Sequence, residues 1–295
     1  MPKPICLTLS GGLGNQLFQL SASIFIEENL KRKVLFDVSN LLGKLIDEPG
    51  NYTRKLEIHD LIKDQTLITR RSHWLVRIIN TKFKKRFFSR FYVFEKSFEH
   101  RAILDFTSRT VGAFGFFQDY EITESAWDTL KIKLENSDKF SSLIKSDVIS
   151  RIAIHIRFGD YSDDPKTKQT YGLTKKTYYL DAVQEIKKSE NCPSEILIVT
   201  DDVEKAKKLI QGEDIKGTIK FISNESAIQD MLELARSSHV VISNSTFSWW
   251  GAWIAYKVHN SKVIYPRPWF ANESDPDLPI YVDNWMSIRR QFEIS

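Results

Sequence analysis

The sequence has few of the features that mark secreted, membrane-spanning or nucleic-acid-binding proteins. Its two cysteines, Cys6 and Cys192, lie far apart, which gives neither a disulfide framework nor a metal-binding spacing and is typical of a reducing compartment. The net charge is only +4, so we expect no nucleic-acid partner. No apolar run approaches the length of a transmembrane helix, and Ile5–Leu9 is too short for the apolar part of a signal peptide. These absences predict a cytoplasmic protein.

The chain is long enough for two domains. At 295 residues, with 42% hydrophobic and 27% charged residues, it has the composition of an ordinary globular protein in which each half can bury a core. Polar and Ser content rises over 137–150, just before an apolar strand. This shift predicts domains over residues 1–145 and 146–295, with a tail at 270–295 that packs back onto the first domain.

The most informative stretch is 152–161, which reads I-A-I-H-I-R-F-G-D-Y. Its β-branched start predicts a buried strand, and alternation places His155 and Arg157 on one face at the carboxyl end. In an open α/β sheet, ligands bind just beyond these ends. Arg157, Asp160 and a flexible Gly159 therefore suit an anionic ligand whose reaction moves a proton. An Arg–Asp pair that only pins a loop explains the same residues.

The amino-terminal segment reads G-G-L-G-N-Q over 11–16. A short strand at Pro4–Leu9 precedes it, and a helix is predicted from about Gln16 to Asn29, followed by a strand at Lys33–Val38. Glycines in the first turn of such a unit let backbone N–H groups approach a ligand, and a helix N-terminus favours negative charge. A tight turn with packing glycines is the alternative.

The second half alternates strands and helices, which predicts a parallel sheet in a doubly wound α/β domain. The predicted strands are Arg151–Ile156, Glu195–Thr200, Thr218–Ile222, His239–Ser243 and Lys262–Tyr265, and the helices are about Thr174–Ser189, Val203–Gln211, Ser226–Arg236 and Phe247–Val258. Short polar residues follow most of these strands, as in a crevice for a phosphorylated ligand. For Asp202 and Ser223, helix capping is the preferred explanation.

The last motif reads S-N-S-T-F-S-W-W-G-A-W over 243–253. Asn244, Ser245 and Thr246 provide more polar groups than helix capping needs. Trp249 and Trp253 can stack on a base or a sugar, or can belong to the core. We expect Trp253 to be core and leave both roles open for Trp249.

These three motifs, in this order, resemble the α-1,2-fucosyltransferases of glycosyltransferase family 11. That family has G-G-L-G-N-Q near its start, H-x-R-R-G-D-Y at its centre and N-S-T-F-S-W-W-G-A-W near its end. The resemblance spans Gly11 to about Trp253 and weakens between about Gly43 and Arg109. It implies the GT-B architecture, with two Rossmann-like domains facing across a cleft, an amino-terminal acceptor-side domain and a carboxy-terminal GDP-sugar-binding domain.

The resemblance also implies an activity and its residues. Family members transfer L-fucose from GDP-β-L-fucose to the 2-hydroxyl of a terminal galactose, with inversion and without a metal or other cofactor. Asp160 is the candidate base, His155 the second candidate, and Arg157 the cation for the leaving diphosphate. The donor-binding candidates are Arg157, Asp230, Asn244, Ser245, Thr246, Ser248, Gly12, Gly14 and Asn15. The acceptor-side candidates are Gln16, Tyr161 and Trp249.

Two details concern donor chemistry. An acid at the position of Asp230 pairs with the guanine edge in related enzymes, which favours GDP over UDP. The one D-x-D triplet, Asp275-Pro276-Asp277, lies in a weakly patterned tail, and we interpret it as a loop rather than a metal site.

Phe158 stands where the family has its second arginine. If that arginine touches phosphate, another residue must replace it, and Arg151 and Lys175 are the candidates. Two alternatives stay open: a transferase for another GDP-sugar or linkage, and a non-catalytic protein that binds a nucleotide sugar or glycan. Phe158 is the one feature that points to the second.

Residues 74–91 mix bulky apolar residues with Arg and Lys. Such a segment can lie on an anionic membrane surface, bind nucleic acid or form a helix that packs its apolar face inward. A lipid-linked glycan acceptor favours peripheral contact with the cytoplasmic membrane.

Overall fold

The computed structural model describes residues 3–41, 55–68, 91–94, 105–159, 165–189, 192–212, 215, 217–224, 226–271 and 277–293. The chain forms two compact units. The first comprises Met1–Asp138 and Asp277–Val282, and the second comprises Lys139–Pro276 and Asp283–Ser295. The roles predicted for the two domains, in acceptor and donor binding, stay predictions.

The first unit contains a parallel sheet with the strand order β3-β2-β1-β5-β4. Its strands are β1 (Ile5–Thr8), β2 (Val34–Asp37), β3 (Thr66–Ile68), β4 (Tyr92–Phe94) and β5 (Gly112–Phe114), with helices α1 (Leu13–Leu30), α2 (Tyr120–Ser125) and α3 (Trp127–Glu135) and a 3₁₀ helix at His59–Ile62. The predicted βαβ opening is thus confirmed. Its helix begins three residues earlier than expected.

The second unit contains a parallel sheet with the order β12-β11-β10-β6-β8-β9. Its strands are β6 (Ile149–Ile156), β8 (Glu195–Thr200), β9 (Thr218–Ile222), β10 (Ser237–Val241), β11 (Lys262–Arg267) and β12 (Met286–Arg289). Its helices are α4 (Ser142–Lys145), α5 (Pro165–Tyr171), α6 (Lys176–Lys187), α7 (Val203–Ile210), α8 (Ala227–Ala235) and α9 (Thr246–His259), and a two-stranded antiparallel ladder joins β7 (Leu173–Thr174) to β13 (Phe292–Glu293). The predicted α/β class with parallel sheets is confirmed.

Strand β6 lies inside this sheet, between β8 and β10. Its last six residues are buried, as expected of a strand covered on both faces. Ile152, Ile154 and Ile156 contribute to one hydrophobic cluster with the helix α6. This packing fixes the strand whose carboxyl end carries the central motif.

The carboxy-terminal tail divides between the units. Asp277–Val282 cluster with the first unit, where the backbone N–H of Tyr120 donates to the carbonyl of Pro279 at 2.8 Å. The rest of the tail adds the edge strand β12 to the second sheet. There the buried Arg290 donates to the carbonyls of Tyr171 and Trp269 at 2.8 and 2.7 Å, so the chain end is tied into that unit.

Within the described ranges, no helix combines the length and the apolar character that crossing a bilayer requires.

Candidate active site

Three neighbouring strands of the second unit carry polar side chains at the same edge. Arg157 follows β6, Asp201 follows β8, and Ser243 lies two residues beyond β10. Because the strands are parallel and adjacent, their carboxyl ends meet at this edge. The structure therefore brings together the residues on which an anion site can be built.

Asp201 links two of these strand ends. Its Oδ1 accepts the backbone N–H of Phe158 at 2.9 Å, and its Oδ2 lies 3.3 Å from Nη1 of Arg157. About a quarter of each side chain is exposed, 24% for Arg157 and 27% for Asp201. The carboxylate thus holds both the turn after β6 and the guanidinium, while the pair stays in reach of solvent.

Gly159 allows this close approach. Its φ is +23°, and a Cβ at this position would lie 2.8 Å from Oδ2 of Asp201 and 3.2 Å from Nη2 of Arg157. A side chain here would force the ends of Asp201 or Arg157 to shift, and its backbone would be strained at this φ. The glycine of the central motif therefore favours the Arg157–Asp201 contact.

His155 is buried in the same region, with 3% of its surface exposed. Its Nδ1 lies 2.8 Å from Oγ of Ser243, and its ring packs against Phe247 at 5.3 Å between centroids. Burial, reinforced by the positive charge of Arg157, lowers the pKa of His155 to about 3. The ring is therefore neutral near pH 7, and so low a pKa makes it a weak general base.

Phe158 points to the interior. It is 8% exposed and belongs to the hydrophobic cluster under β6 and β8. A cation that is not one of the two suggested replacements lies near its ring: Nζ of Lys205, in the first turn of α7, is 6.0 Å from the ring centroid. Arg151 is unsuitable, because it lies near the amino end of β6 and pairs with Glu233 at 2.6 Å. Lys175 occupies the N-cap position of α6.

The segment after β10 is mostly structural. The side chain of Asn244 donates to the carbonyls of Tyr171 and Trp269 at 3.0 and 3.1 Å and is 2% exposed. Ser248 is fully buried and bonds the carbonyl of Ser245 within the first turn of α9. Ser245 is the N-cap residue without a side-chain cap bond, and Thr246 begins the helix. Because the side chains of Asn244 and Ser248 are buried, their polar atoms are not exposed to a donor.

Trp249 lies in the core. It is 1% exposed and stacks on Trp253 at 5.1 Å, with Trp285 at 5.5 Å. No ring face is left for an acceptor sugar, so the acceptor-side role expected for Trp249 is replaced by packing. The core role of Trp253 agrees with expectation.

Asp230 lies in the first turn of α8, as predicted. Its Oδ1 accepts both the backbone N–H and the side-chain amide of Asn224, at 3.0 and 2.8 Å. Burial raises the pKa of Asp230, and these two hydrogen bonds oppose the shift. The carboxylate closes the loop after β9, and its contact with guanine stays a prediction.

In the first unit, the residues of the G-G-L-G-N-Q motif form the turn after β1 and the first turn of α1. Gly11 has a φ of +78°, Gly12 is the N-cap, and α1 begins at Leu13, so Gly14, Asn15 and Gln16 are helical.

Internal partners occupy the polar groups of this segment. The N–H of Leu13 donates to the carboxylate of Glu57 at 3.1 Å, so an internal anion already caps the helix. Gln16 is fully buried, and its amide bonds the carbonyls of Gly11 and Lys55 and the N–H of Glu57. Asn15 accepts a bond from Gln118. Gln16 therefore shows no exposed atom for an acceptor, and the cap weakens the case for donor phosphate at α1.

Asp160, Tyr161 and nearly all of 74–91 lie outside the described residues. The base and acceptor roles assigned to Asp160 and Tyr161, and the membrane role of the basic segment, stay predictions.

Sequence reasoning did not single out Asp201 and Ser243. Both were visible only as members of polar strand ends, and Asp202 beside Asp201 is an N-cap whose carboxylate accepts the N–H of Lys205 at 2.9 Å. The pairing of β6 with β8 and β10 is what distinguishes these two residues from ordinary caps.

Comparison with known proteins identifies the family. The model of glycosyl transferase family 11 matches residues 5–289. The chain belongs to this family. It is 27% identical over 304 residues to an alpha-1,2-colitosyltransferase of Escherichia coli, covering 96% of this chain and 98% of that protein. It is 25% identical over 307 residues to the Escherichia coli O-antigen biosynthesis glycosyltransferase WbnK, covering 95% and 99%.

The fold also resembles a solved structure. A mutant of Arabidopsis thaliana FUT1 in complex with GDP aligns with a TM-score of 0.50 at 12% identity, covering 90% of this chain and 70% of that one. At this identity the likeness concerns the fold alone. The family resemblance seen in the three motifs is confirmed, and the chain is a family 11 glycosyltransferase.

The Arg157–Asp201 pair gives a first prediction. In Asp201→Asn the side chain keeps its size and can still accept from Phe158, but loses the charge that holds Arg157. We expect kcat/KM for the donor to fall by up to about 10²-fold, because the guanidinium is displaced. Steady-state kinetics measure this.

Asp202→Asn is the matched control, since asparagine is also a good N-cap. It should leave kcat/KM unchanged. Equal losses in the two variants would contradict a specific role for Asp201.

A second prediction concerns acid stability. Because the pKa of His155 is about 3 in the folded protein and 6.5 ordinarily, the unfolded chain binds the extra proton between these values. The free energy of unfolding that the neutral, buried His155 contributes is fully present above pH 6.5 and is lost as the pH falls toward 3. Over this range the free energy of unfolding falls by up to about 1.4 kcal/mol per pH unit.

Urea unfolding of the wild type and His155→Asn between pH 4 and 7 measures the difference. We expect the free energy of unfolding of the variant to depend less steeply on pH. Parallel curves would show that His155 is not buried as a neutral ring.

Proposed function

We propose that this family 11 enzyme transfers L-fucose from GDP-β-L-fucose to the 2-hydroxyl of a terminal galactose in a surface glycan such as an O-antigen. The observation that carries the proposal is the position of Arg157, which Asp201 holds at the carboxyl end of the buried strand β6. The chain that contains this pair belongs to the family. The two Escherichia coli relatives, one an α-1,2-glycosyltransferase and one of O-antigen biosynthesis, support the linkage and the type of acceptor. GDP in the structure with a similar fold supports the nucleotide.

The reaction is a single displacement with inversion. The acceptor oxygen forms a bond to the anomeric carbon, the bond from that carbon to the diphosphate breaks, and GDP leaves. The hydroxyl proton passes to a base, for which Asp160 is the candidate. His155 is disfavoured for this step because its pKa is about 3.

Arg157 supplies the cation for the leaving group. Arginine is always charged and can grip a phosphate through two N–H groups, so it can stabilise the diphosphate without a metal ion. Its anchoring by Asp201 fixes the guanidinium before the donor arrives, which is the preorganisation that electrostatic catalysis requires. We therefore propose catalysis without a metal or other cofactor.

One observation supports a second candidate donor. One relative is named a colitosyltransferase, and colitose is L-fucose without its 3-hydroxyl. A site that hydrogen-bonds this hydroxyl rejects the deoxy sugar strongly, whereas an apolar pocket discriminates weakly. The ratio of kcat/KM for GDP-fucose and GDP-colitose therefore decides between the two donors.

The deciding experiment measures GDP release from each GDP-sugar with a panel of galactosides, in buffer that contains a chelator. We expect acceptor-dependent release with GDP-fucose, and NMR of the product should show an α-1,2 linkage. Release only with GDP-colitose selects the second donor. GDP binding without transfer to any acceptor would support the non-catalytic alternative.

Arg157→Ala tests the leaving-group assignment in the same assay. We expect kcat to fall by about 10³-fold or more. The melting temperature should change little, because the side chain is partly exposed. Arg157→Lys, which keeps the charge but not the fork, should recover only part of the rate. An unchanged rate in Arg157→Ala would remove Arg157 from the mechanism.

We further propose that the enzyme works at the cytoplasmic face of the membrane on a lipid-linked acceptor, in contact through 74–91. The cluster Lys82, Lys84, Lys85 and Arg86 supports electrostatic attraction to anionic lipid. Replacing these four residues by serine should reduce co-sedimentation with vesicles that contain phosphatidylglycerol. Equal sedimentation of the variant and the wild type would contradict this contact.

A further inference from the structure

Two histidine–serine pairs lie along β10 and just beyond its carboxyl end. At the carboxyl end, Nδ1 of His155 lies 2.8 Å from Oγ of Ser243. At the amino end, Nδ1 of His239 lies 3.1 Å from Oγ of Ser238. Only the first pair lies at the edge of the sheet that carries Arg157. Ser243 can therefore influence the candidate site through His155.

The hydrogen bonds of the two groups indicate which one donates. Ser243 is 1% exposed, and among the described residues its hydroxyl bonds to His155. If Nδ1–H donated to Ser243, the serine would keep a buried O–H without an acceptor, which is costly. If Ser243 donates to Nδ1, both atoms are satisfied and the ring hydrogen lies on Nε2. The second arrangement is the more stable one.

This tautomer suits an anionic ligand. A neutral ring with hydrogen on Nε2 is a donor, and it needs no proton transfer to interact with a phosphate oxygen. His155 lies in β6 and Arg157 is the first residue after it, two positions further on, so their Cα atoms are at most about 7 Å apart. The ring and the guanidinium can therefore contact one diphosphate group together.

We propose that Ser243 is a positioning residue that donates to Nδ1 of His155 and thereby keeps the ring as a neutral Nε2–H donor to the diphosphate of the nucleotide sugar. This inference rests on the proposed function for the identity of the ligand. It assigns Ser243, which directly precedes the family motif, a role that differs from those of its neighbours: Asn244 and Ser248 bind backbone carbonyls and stay buried.

The direct test is ¹⁵N NMR of the imidazole nitrogens in the complete, labelled protein. The chain has six histidines, and His155→Asn identifies the signals of His155 by their loss. We expect Nε2 to be protonated and Nδ1 unprotonated at pH 7, and we expect saturating GDP to shift the Nε2–H signals. A ring protonated on Nδ1, a doubly protonated ring, or signals that GDP leaves unchanged would overturn the proposal.

Variants then test Ser243 itself. In Ser243→Ala we expect loss of the fixed tautomer and a fall in kcat of up to about 10²-fold. Ser243→Thr, which keeps the hydroxyl, should restore much of the rate if it folds. Retention of the Nε2–H tautomer in Ser243→Ala, or an unchanged kcat, would overturn the proposal.

Ser238→Ala is the matched control. Ser238 also bonds the backbone of Arg151, so this variant is expected to lose stability but not activity per folded molecule. If the wild type transfers neither GDP-sugar, the proposed function fails, while the tautomer measurement still decides the role of Ser243.

Discussion

The contact between Asp201 and the turn after β6 is the interaction on which the candidate site depends. One carboxylate accepts the N–H of Phe158 and lies beside the guanidinium of Arg157. It can do so because β6 and β8 are parallel neighbours whose carboxyl ends coincide. A partly exposed ion pair contributes little to stability. Its importance here is geometric, since it holds a cation at the edge where we propose that the nucleotide sugar binds.

Much of the sequence signature that identifies the family serves this edge indirectly. Asn244 and Arg290 donate to the same two carbonyls, those of Tyr171 and Trp269. This shared pair of acceptors ties the start of α9 to the chain end. The tryptophans that follow pack against each other in the interior. The motif therefore supports the site from the interior, and the residue that we propose to act on the site through His155 is Ser243, which directly precedes the motif.

The strands of the second sheet could be predicted from their apolar composition, and all five predicted strands exist. Strand β12 was missed because it is an edge strand whose side chains are mostly exposed, so it has no apolar pattern. The start of α1 was placed three residues late because its cap, Glu57, is distant in sequence. Such long-range partners leave no local signal.

The candidate site was only partly predictable, because some of its contacts also join residues that are distant in sequence. His155 and Arg157 follow from strand alternation, and the structure places both at the carboxyl end of β6. The role of Asp201 depends on which strand lies beside β6, which the sequence does not state. The burial of Gln16 and Trp249 was equally hidden, because a glutamine and a tryptophan in a motif look the same whether they meet a ligand or the core.

The central claim is that the edge formed by β6, β8 and β10 binds a nucleoside diphosphate through Arg157. Isothermal titration calorimetry of GDP into the wild type and Arg157→Ala, with chelator present, tests it most directly. The account predicts saturable binding to the wild type and an affinity at least about tenfold weaker in the variant, since a charged hydrogen bond is worth about 1.5–3 kcal/mol. Absence of GDP binding to the wild type, or equal affinities in the two proteins, would contradict it.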